Sequence, residues 1–515
     1  MTALQMKIRE FTHTEHRPAL LVIMALCGAT LLISIFAFQG VWTIVPSIVL
    51  MLLLAMLAWP EAATLVFMFI IYMNIPVVAT KFHDVPQFFA AASVLILVVP
   101  MASYIIMHRK PFVSTPGLVL LLIYFFIMLV SSVFSLSVGT SMDVFQTYVT
   151  EGLALYFLVT NVVRTPATLR RVVWVLIIAC SLMGALSIFQ EVTKTYSNNY
   201  WGFAQVDGGG FSVADGLEGK LFRLRLAGPI GEKNRYAQAM LAIFPLALFR
   251  IWGEKSHLLK ALAGGATLLI LSGVLLSFSR GAAVAMIGLL VITTLWGYIR
   301  VHQAIFVLLV LALLIAVVAP DFVVRIDSLR GLAGLFSEEG DKADGAIVGR
   351  ETSNLAALHV FLDYPILGVG PGQYYKQYSQ QYANALGLRF FDVNRRAHNM
   401  YLETAADLGI IGLSALLAIF IVPMIQLDKL RRYWSQRYPP YANMVTAFLL
   451  SMISYMATAV FLHLSYLRYV ALLWALANSA IYIARSQVES EETLRSEHAP
   501  GNVGSTATVL VPDAQ

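Results

Sequence analysis

Apolar runs of about twenty residues recur along nearly the whole chain, and that is the length a helix needs to cross the hydrocarbon core of a bilayer. They fall at roughly 19–38, 41–58, 62–80, 86–107, 116–135, 142–162, 168–190, 234–252, 257–278, 281–298, 302–320, 399–426, 441–462 and 464–484. The pattern predicts an all-α, polytopic membrane protein with about fourteen transmembrane helices. Barrel strands are excluded because they are short and alternate in polarity, whereas these runs are continuously apolar.

Three polar stretches interrupt the rhythm, at 191–233, 321–397 and 486–515. They divide the chain into a short N-terminal segment (1–18), an N-terminal helical array (19–190), a first long loop, a region with a large loop at 321–397, two C-terminal spans (441–484) and a tail. The tail lacks Phe, Trp and Tyr and is rich in Glu and Ser, with Gly501 and Gly504, so it reads as solvated and disordered. Lys and Arg concentrate in alternate short loops, at Arg109 and Lys110, Arg164 to Arg171, Arg250 to Lys260 and Lys429 to Arg437. Basic loops stay in the cytoplasm, which predicts both termini inside and both long loops outside.

Composition agrees with the pattern. Hydrophobic residues make up 59% of the chain, charged residues 12%, and the mean hydropathy is +0.75, all far from a soluble domain. The net charge of +6 is spread over loops, which speaks against a nucleic-acid partner and fits attraction to lipid head groups. Cys27 and Cys180 both fall within apolar runs, so neither a disulfide framework nor a Cys-based zinc site is expected. The first run is too long for a signal-peptide core and is read as a retained span.

Candidate chemistry gathers at the outer helix ends. His398 precedes an apolar run, where the helix N-terminus disfavours the imidazolium; a neutral imidazole there accepts a proton from a hydroxyl, or merely caps the helix. Arg280 lies in a minimal break between two spans, where a guanidinium snorkels or binds an anion. Arg350 opens a helical pattern before the turn sequence DYPILGVGPG, and by itself reads as a surface charge. If Phe222–Leu226 is extended, Arg223 and Arg225 share one face, with Lys233 and Arg235 close behind. Individually these are solvated loop cations; collectively they suit a diphosphate carried on a lipid. The glycines of GVGPG make a tight turn rather than a nucleotide loop, since no strand precedes them. Asn399, Glu403 and Asp407 recur at every fourth residue and form a polar stripe on one helix face. Glu151, inside the sixth run, has no evident role.

The segments RLAGPIGEKNRYAQ, FSRGA, GRETSNLAALHVFLDYPILGVGPGQY and AHNMYLETAADLGIIGL occur in that order, and over residues 220–425 the chain resembles the O-antigen ligase and O-antigen polymerase superfamily. The resemblance implies a GT-C-like, metal-independent glycosyltransferase of the cell inner membrane, without cofactor, whose donor is a glycan on undecaprenyl diphosphate. It implies that Arg280 and Arg350, and less firmly Arg225, hold the donor diphosphate, and that His398 activates the acceptor hydroxyl at the periplasmic face. Arg223, Lys233, Arg235, Asn399 and Glu403 are the further substrate-binding candidates. The acceptor would be lipid A-core, a second lipid-linked glycan, or a protein hydroxyl. The rival class is a transporter or flippase, with Glu151, Glu403 and Asp407 as coupling groups and discontinuous helices.

Overall fold

The computed structural model describes residues 51–87, 93–215, 219–318, 321, 345–388, 396–464 and 467–497, with Ala25, Gly28 and Ala29. Expectations for the N-terminal segment, most of the first apolar run and Cys27 fall outside the described residues.

Helix starts are set by a capping residue followed by proline. Thr115 Oγ1 accepts from the Leu118 amide at 3.3 Å and Pro116 opens α1, Pro116–Val133; Thr165 and Pro166 repeat the device for α2, Pro166–Thr193. A β-hairpin follows, β1 (Gln205–Asp215) and β2 (Gly219–Gly228), then α3 (Lys233–Gly253), α4 (His257–Leu276) and α5 (Arg280–Leu295). The remaining elements that matter here are α6 (Gly345–Asp363), α7 (Met400–Trp434), α8 (Pro439–Ala459) and α9 (Leu467–Glu497).

Among the described residues seven helices are long and apolar enough to cross a membrane, namely α1, α2, α3, α4, α7, α8 and α9, or eight if the pair Met51–Ala58 and Pro60–Tyr72, bent by 111°, is one span. The protein is therefore a mostly helical, multi-pass membrane protein. Several of the other apolar runs are helical without being straight α-helices of spanning length. The run at 62–80 breaks at Asn74, whose φ is 58°, and the run at 142–162 passes through a π segment, Val149–Ala154. Ile96–Met107, Arg280–Leu295 and Val301–Val317 are shorter apolar helices. Hydropathy reports solvent preference, and it is blind to such breaks.

The mostly helical chain carries the hairpin in its first long loop, where the alternating FRLRL pattern pairs with β1, setting Asp207 opposite Arg225 and Phe211 opposite Arg223. One departure from the sequence reading is a correction. The expected tail is helical as far as Glu497, because residues 486–497 are mostly helix formers and the first Pro and Gly arrive only at 500 and 501.

Lipid is as apolar as leucine, so helix packing in a membrane depends on close approach and on internal polar contacts. Gly184 of α2 and Gly273 of α4 supply the approach: their Cα region is so tight that a Cβ at Gly184 would lie 2.1 Å from the Leu269 carbonyl oxygen. Tyr236 of α3 fills the junction, its hydroxyl 2.8 Å from Ser187 Oγ and donating to the Met183 carbonyl at 3.1 Å. The apolar window of α9 is 94% buried against 39% for α7, which puts α9 inside the bundle and α7 at its flank.

Candidate functional site

One end of α3, α5 and α8 forms a small cleft lined by Arg225, Asn234, Ser279, Arg280, Arg350 and Thr458 among others. Its shape begins with the break between α4 and α5. Phe278 adopts φ 52°, a left-handed conformation that costs a non-glycine residue about 1 kcal/mol. Arg225 holds that turn from β2, donating from Nε to the Ser277 carbonyl at 3.3 Å and from Nη2 to the Phe278 carbonyl at 3.0 Å. Ser279 caps α5, and Arg280 is its first helical residue, only 8% exposed. A Cβ at Gly281 would lie 2.7 Å from the Phe461 ring, which explains glycine after the arginine. Arg350, near the start of α6, completes the cleft from a segment seventy residues away in sequence. Three guanidiniums thus gather at the N-terminus of α5, a setting whose charge suits a multiply charged anion.

Beside the cleft stand two histidines. His398 has φ 52° and its ring meets that of His463 edge to face, with centroids 5.5 Å apart and planes at 74°. His463 adjoins the cleft residue Leu462, and Arg235, which follows cleft-lining Asn234, grips it: Arg235 Nη2 is 2.6 Å from His463 Nε2, and Nη1 donates to its carbonyl at 3.3 Å. A guanidinium only donates, so Nε2 is the acceptor and Nδ1 carries the proton. Burial first, then the charges of Arg235 and Arg396 and the neighbouring His398, push the His463 imidazole well below the ordinary histidine range. His463 was missed by sequence reasoning. The signal available was its position in a short break between spans, like that of Arg280, but proximity to His398 is created only by the fold.

The polar stripe on α7 has a different task from the one expected. Asn399 is the N-cap, its side-chain oxygen accepting from the Tyr401 and Leu402 amides at 3.0 and 3.1 Å. Glu403, buried, accepts from the Ala397 amide at 3.0 Å and from Arg396 Nη1 at 3.1 Å, and so clamps the segment carrying His398. Asp407 accepts from the Gly372 and Tyr374 amides, both at 2.9 Å, fixing the end of the GVGPG turn. Two residues later α7 is broken at Gly409, with φ 64° and ψ −166°. The DYPILGVGPG segment enters the gap: Val369 and Gly370 amides donate to the Ala406 and Asp407 carbonyls at 3.0 and 2.8 Å, and the Ile410 amide donates to the Pro365 carbonyl at 2.8 Å. Backbone groups freed in an apolar setting are thereby satisfied by a neighbouring chain segment.

The other candidates are engaged in ion pairs. Arg223 pairs with Glu191 at 2.6 Å and Asp321 at 2.9 Å, and Lys233 pairs with Asp207 at 3.0 Å. Glu151 faces Arg468 at 3.8 Å. Among the described residues no three His, Cys, Asp or Glu side chains are grouped so as to hold a metal ion.

Fold and site together define a multi-pass membrane protein with an arginine-lined cleft next to a histidine pair. Residues 265–417 match the model of the O-antigen ligase family. The matched stretch includes Arg280, Arg350 and His398. No curated protein matches the chain. The family match supports a membrane enzyme of the O-antigen ligase and polymerase type.

Proposed function

We propose that the protein is a glycosyltransferase that moves a glycan from undecaprenyl diphosphate to a hydroxyl acceptor at the periplasmic face of the inner membrane, within a GT-C-like bundle of about fourteen spans, a count read from the spanning length of its apolar runs. The observation that carries this is the convergence of Arg225, Arg280 and Arg350 in one cleft abutting His398 and His463. The arginines stabilise the departing diphosphate, the role a metal ion plays elsewhere. His398 takes the proton of the attacking hydroxyl, the new C–O bond forms as the bond to diphosphate breaks, and a single displacement inverts the anomeric carbon. Lipid A-core or a second lipid-linked glycan is the favoured acceptor; a protein hydroxyl is the alternative within the class.

The transport reading gains one feature, the break of α7 at Gly409, but that gap is filled by backbone of residues 365–370. Its proposed coupling carboxylates are each engaged, Glu151 with Arg468, Glu403 with Arg396, and Asp407 with two amides.

The test is transfer by purified protein from undecaprenyl-diphosphate glycan to each candidate acceptor. His398→Ala is expected to lower turnover on the order of 10²- to 10⁴-fold, the usual contribution of a general base. Arg280→Ala should cost roughly 10²- to 10³-fold through lost charge stabilisation. Full transfer by both variants removes the mechanism, and loss of wild-type transfer in chelator removes its metal independence.

A further inference from the structure

A second cavity lies at the far end of the same helices. Its volume is about 420 Å³, and its lining includes Arg170, Arg250, Glu254, Lys255, Tyr438 and Tyr441. From Lys233, beside the arginine cleft, α3 runs twenty-one residues to Gly253 at this cavity, a rise of about 30 Å, so the two sites open at opposite membrane surfaces. The same holds for α8, with Pro440 at this cavity and Thr458 at the cleft.

The cavity is cationic. Arg170, Arg250 and Lys255 face a single lining carboxylate, Glu254, which is already taken: it accepts from Arg170 Nε at 3.2 Å and from Trp174 Nε1 at 3.0 Å. Arg250, with its side chain only 16% exposed, shares the same carboxylate, 3.6 Å away. One carboxylate divided between two arginines and an indole leaves a surplus of positive charge, which suits an anion with several acceptor oxygens.

An apolar groove of about 750 Å³ continues from this cavity, sharing Arg170 and Leu259 with it and running between α2 and α4. Trp174, Ile178 and Leu182 form one wall, Leu262, Ala266 and Leu269 the other. It reaches Ala185, one residue beyond Gly184, where the close approach of α2 to Leu269 brings the helices together. From Arg170 to Ala185 the helix rises about 22 Å, long enough for one acyl chain.

We infer that this cavity and groove bind one anionic glycerophospholipid of the leaflet opposite the arginine cleft, with its phosphate at Arg250, Arg170 and Lys255 and an acyl chain between α2 and α4. A zwitterionic head group would bring its own cation against three protein cations, so charge selects the anionic lipid. The inference needs only that the protein spans a membrane. It rests on the multi-pass reading and not on the transfer reaction, so loss of one leaves the other standing.

Native mass spectrometry of the full chain, released from micelles containing phosphatidylglycerol or phosphatidylcholine, tests it. One phosphatidylglycerol should stay bound at activation energies that strip phosphatidylcholine. Arg250→Gln should reduce the retained phosphatidylglycerol at least fivefold, and Lys255→Gln, at an exposed position, should reduce it while leaving the fold intact. Leu262→Trp should reduce retention by blocking the groove, whereas Arg280→Gln in the other cleft should not. Equal retention of the two lipids, or no loss in either Arg250→Gln or Lys255→Gln, overturns the inference. Displacement of the lipid by inorganic phosphate alone at millimolar concentration overturns the lipid assignment in favour of a free-anion site.

Discussion

At the residue scale, the chemistry turns on which atoms are held and by what. Arg235 fixes the tautomer of His463, and His463 packs its ring against His398. Because the folded imidazole of His463 is pushed down while the unfolded one titrates near its ordinary value, the unfolded chain binds more protons between the two. Its contribution to stability is therefore complete above about pH 6.5 and is lost as pH falls toward the folded value, by up to about 1.4 kcal/mol per pH unit. Thermal unfolding in detergent at pH 7.5 and 5.5 should show a larger loss for wild type than for His463→Gln; parallel losses would contradict the buried neutral state. Glu403 offers a complementary test. Since it holds the Ala397 amide and Arg396, Glu403→Ala should misplace His398 and lower turnover on the order of 10²-fold, with a smaller change in the donor concentration at half-maximal rate. An unchanged turnover would mean that the segment is held without it. Of the nine candidate residues read from the sequence, Arg223 illustrates the limit well. It shares a strand face with Arg225, yet its guanidinium goes to Glu191 and Asp321 while Arg225 goes to the turn at Phe278, because strand period sets direction and not partner.

At the element scale, the decisive feature is the break in α7 and the DYPILGVGPG segment threaded into it. The pairing requires two glycines at positive φ. A Cβ at Gly368 would lie 2.3 Å from the Asp407 carbonyl carbon, and one at Gly409 would lie 2.2 Å from the Ile366 carbonyl oxygen. Gly368→Ala should destabilise by about 3 kcal/mol, combining left-handed strain with overpacking. Gly288→Ala, in the interior of α5 with nothing near its added carbon, should be neutral or slightly stabilising. Similar melting temperatures for the two variants would argue against the threaded pairing. The sequence marked the turn through its Gly and Pro spacing and marked the helix through its hydropathy, but the contact between them spans some forty residues and has no local signature.

At the scale of the whole molecule, the bundle separates two surfaces. Ser197, exposed just beyond α2, lies at the end of the arginine cleft, and Ser256, exposed before α4, lies at the other. On the proposed orientation, a membrane-impermeant thiol reagent reaching the periplasm should label Ser197→Cys in intact inner membranes and label Ser256→Cys only after permeabilisation. Cys180 is buried and should not interfere. The reverse labelling would invert the site and remove the periplasmic reading.

The sequence by itself determined the solvent and the class: only helices and closed barrels satisfy their backbone in lipid, and continuous apolar runs demand helices because barrel strands are short and alternate in polarity. The ordered motifs around Arg280, Arg350 and His398 also pointed to the family whose model matches residues 265–417. Tertiary structure decided the rest. Only folding brings Arg225 and Arg350 to Arg280, sets His463 against His398, turns Asn399, Glu403 and Asp407 into clamps, and opens a cationic cavity at the far membrane surface. Hydropathy and spacing act over a few turns of chain, whereas these contacts join segments separated by tens to hundreds of residues, and which side chains meet is settled by packing.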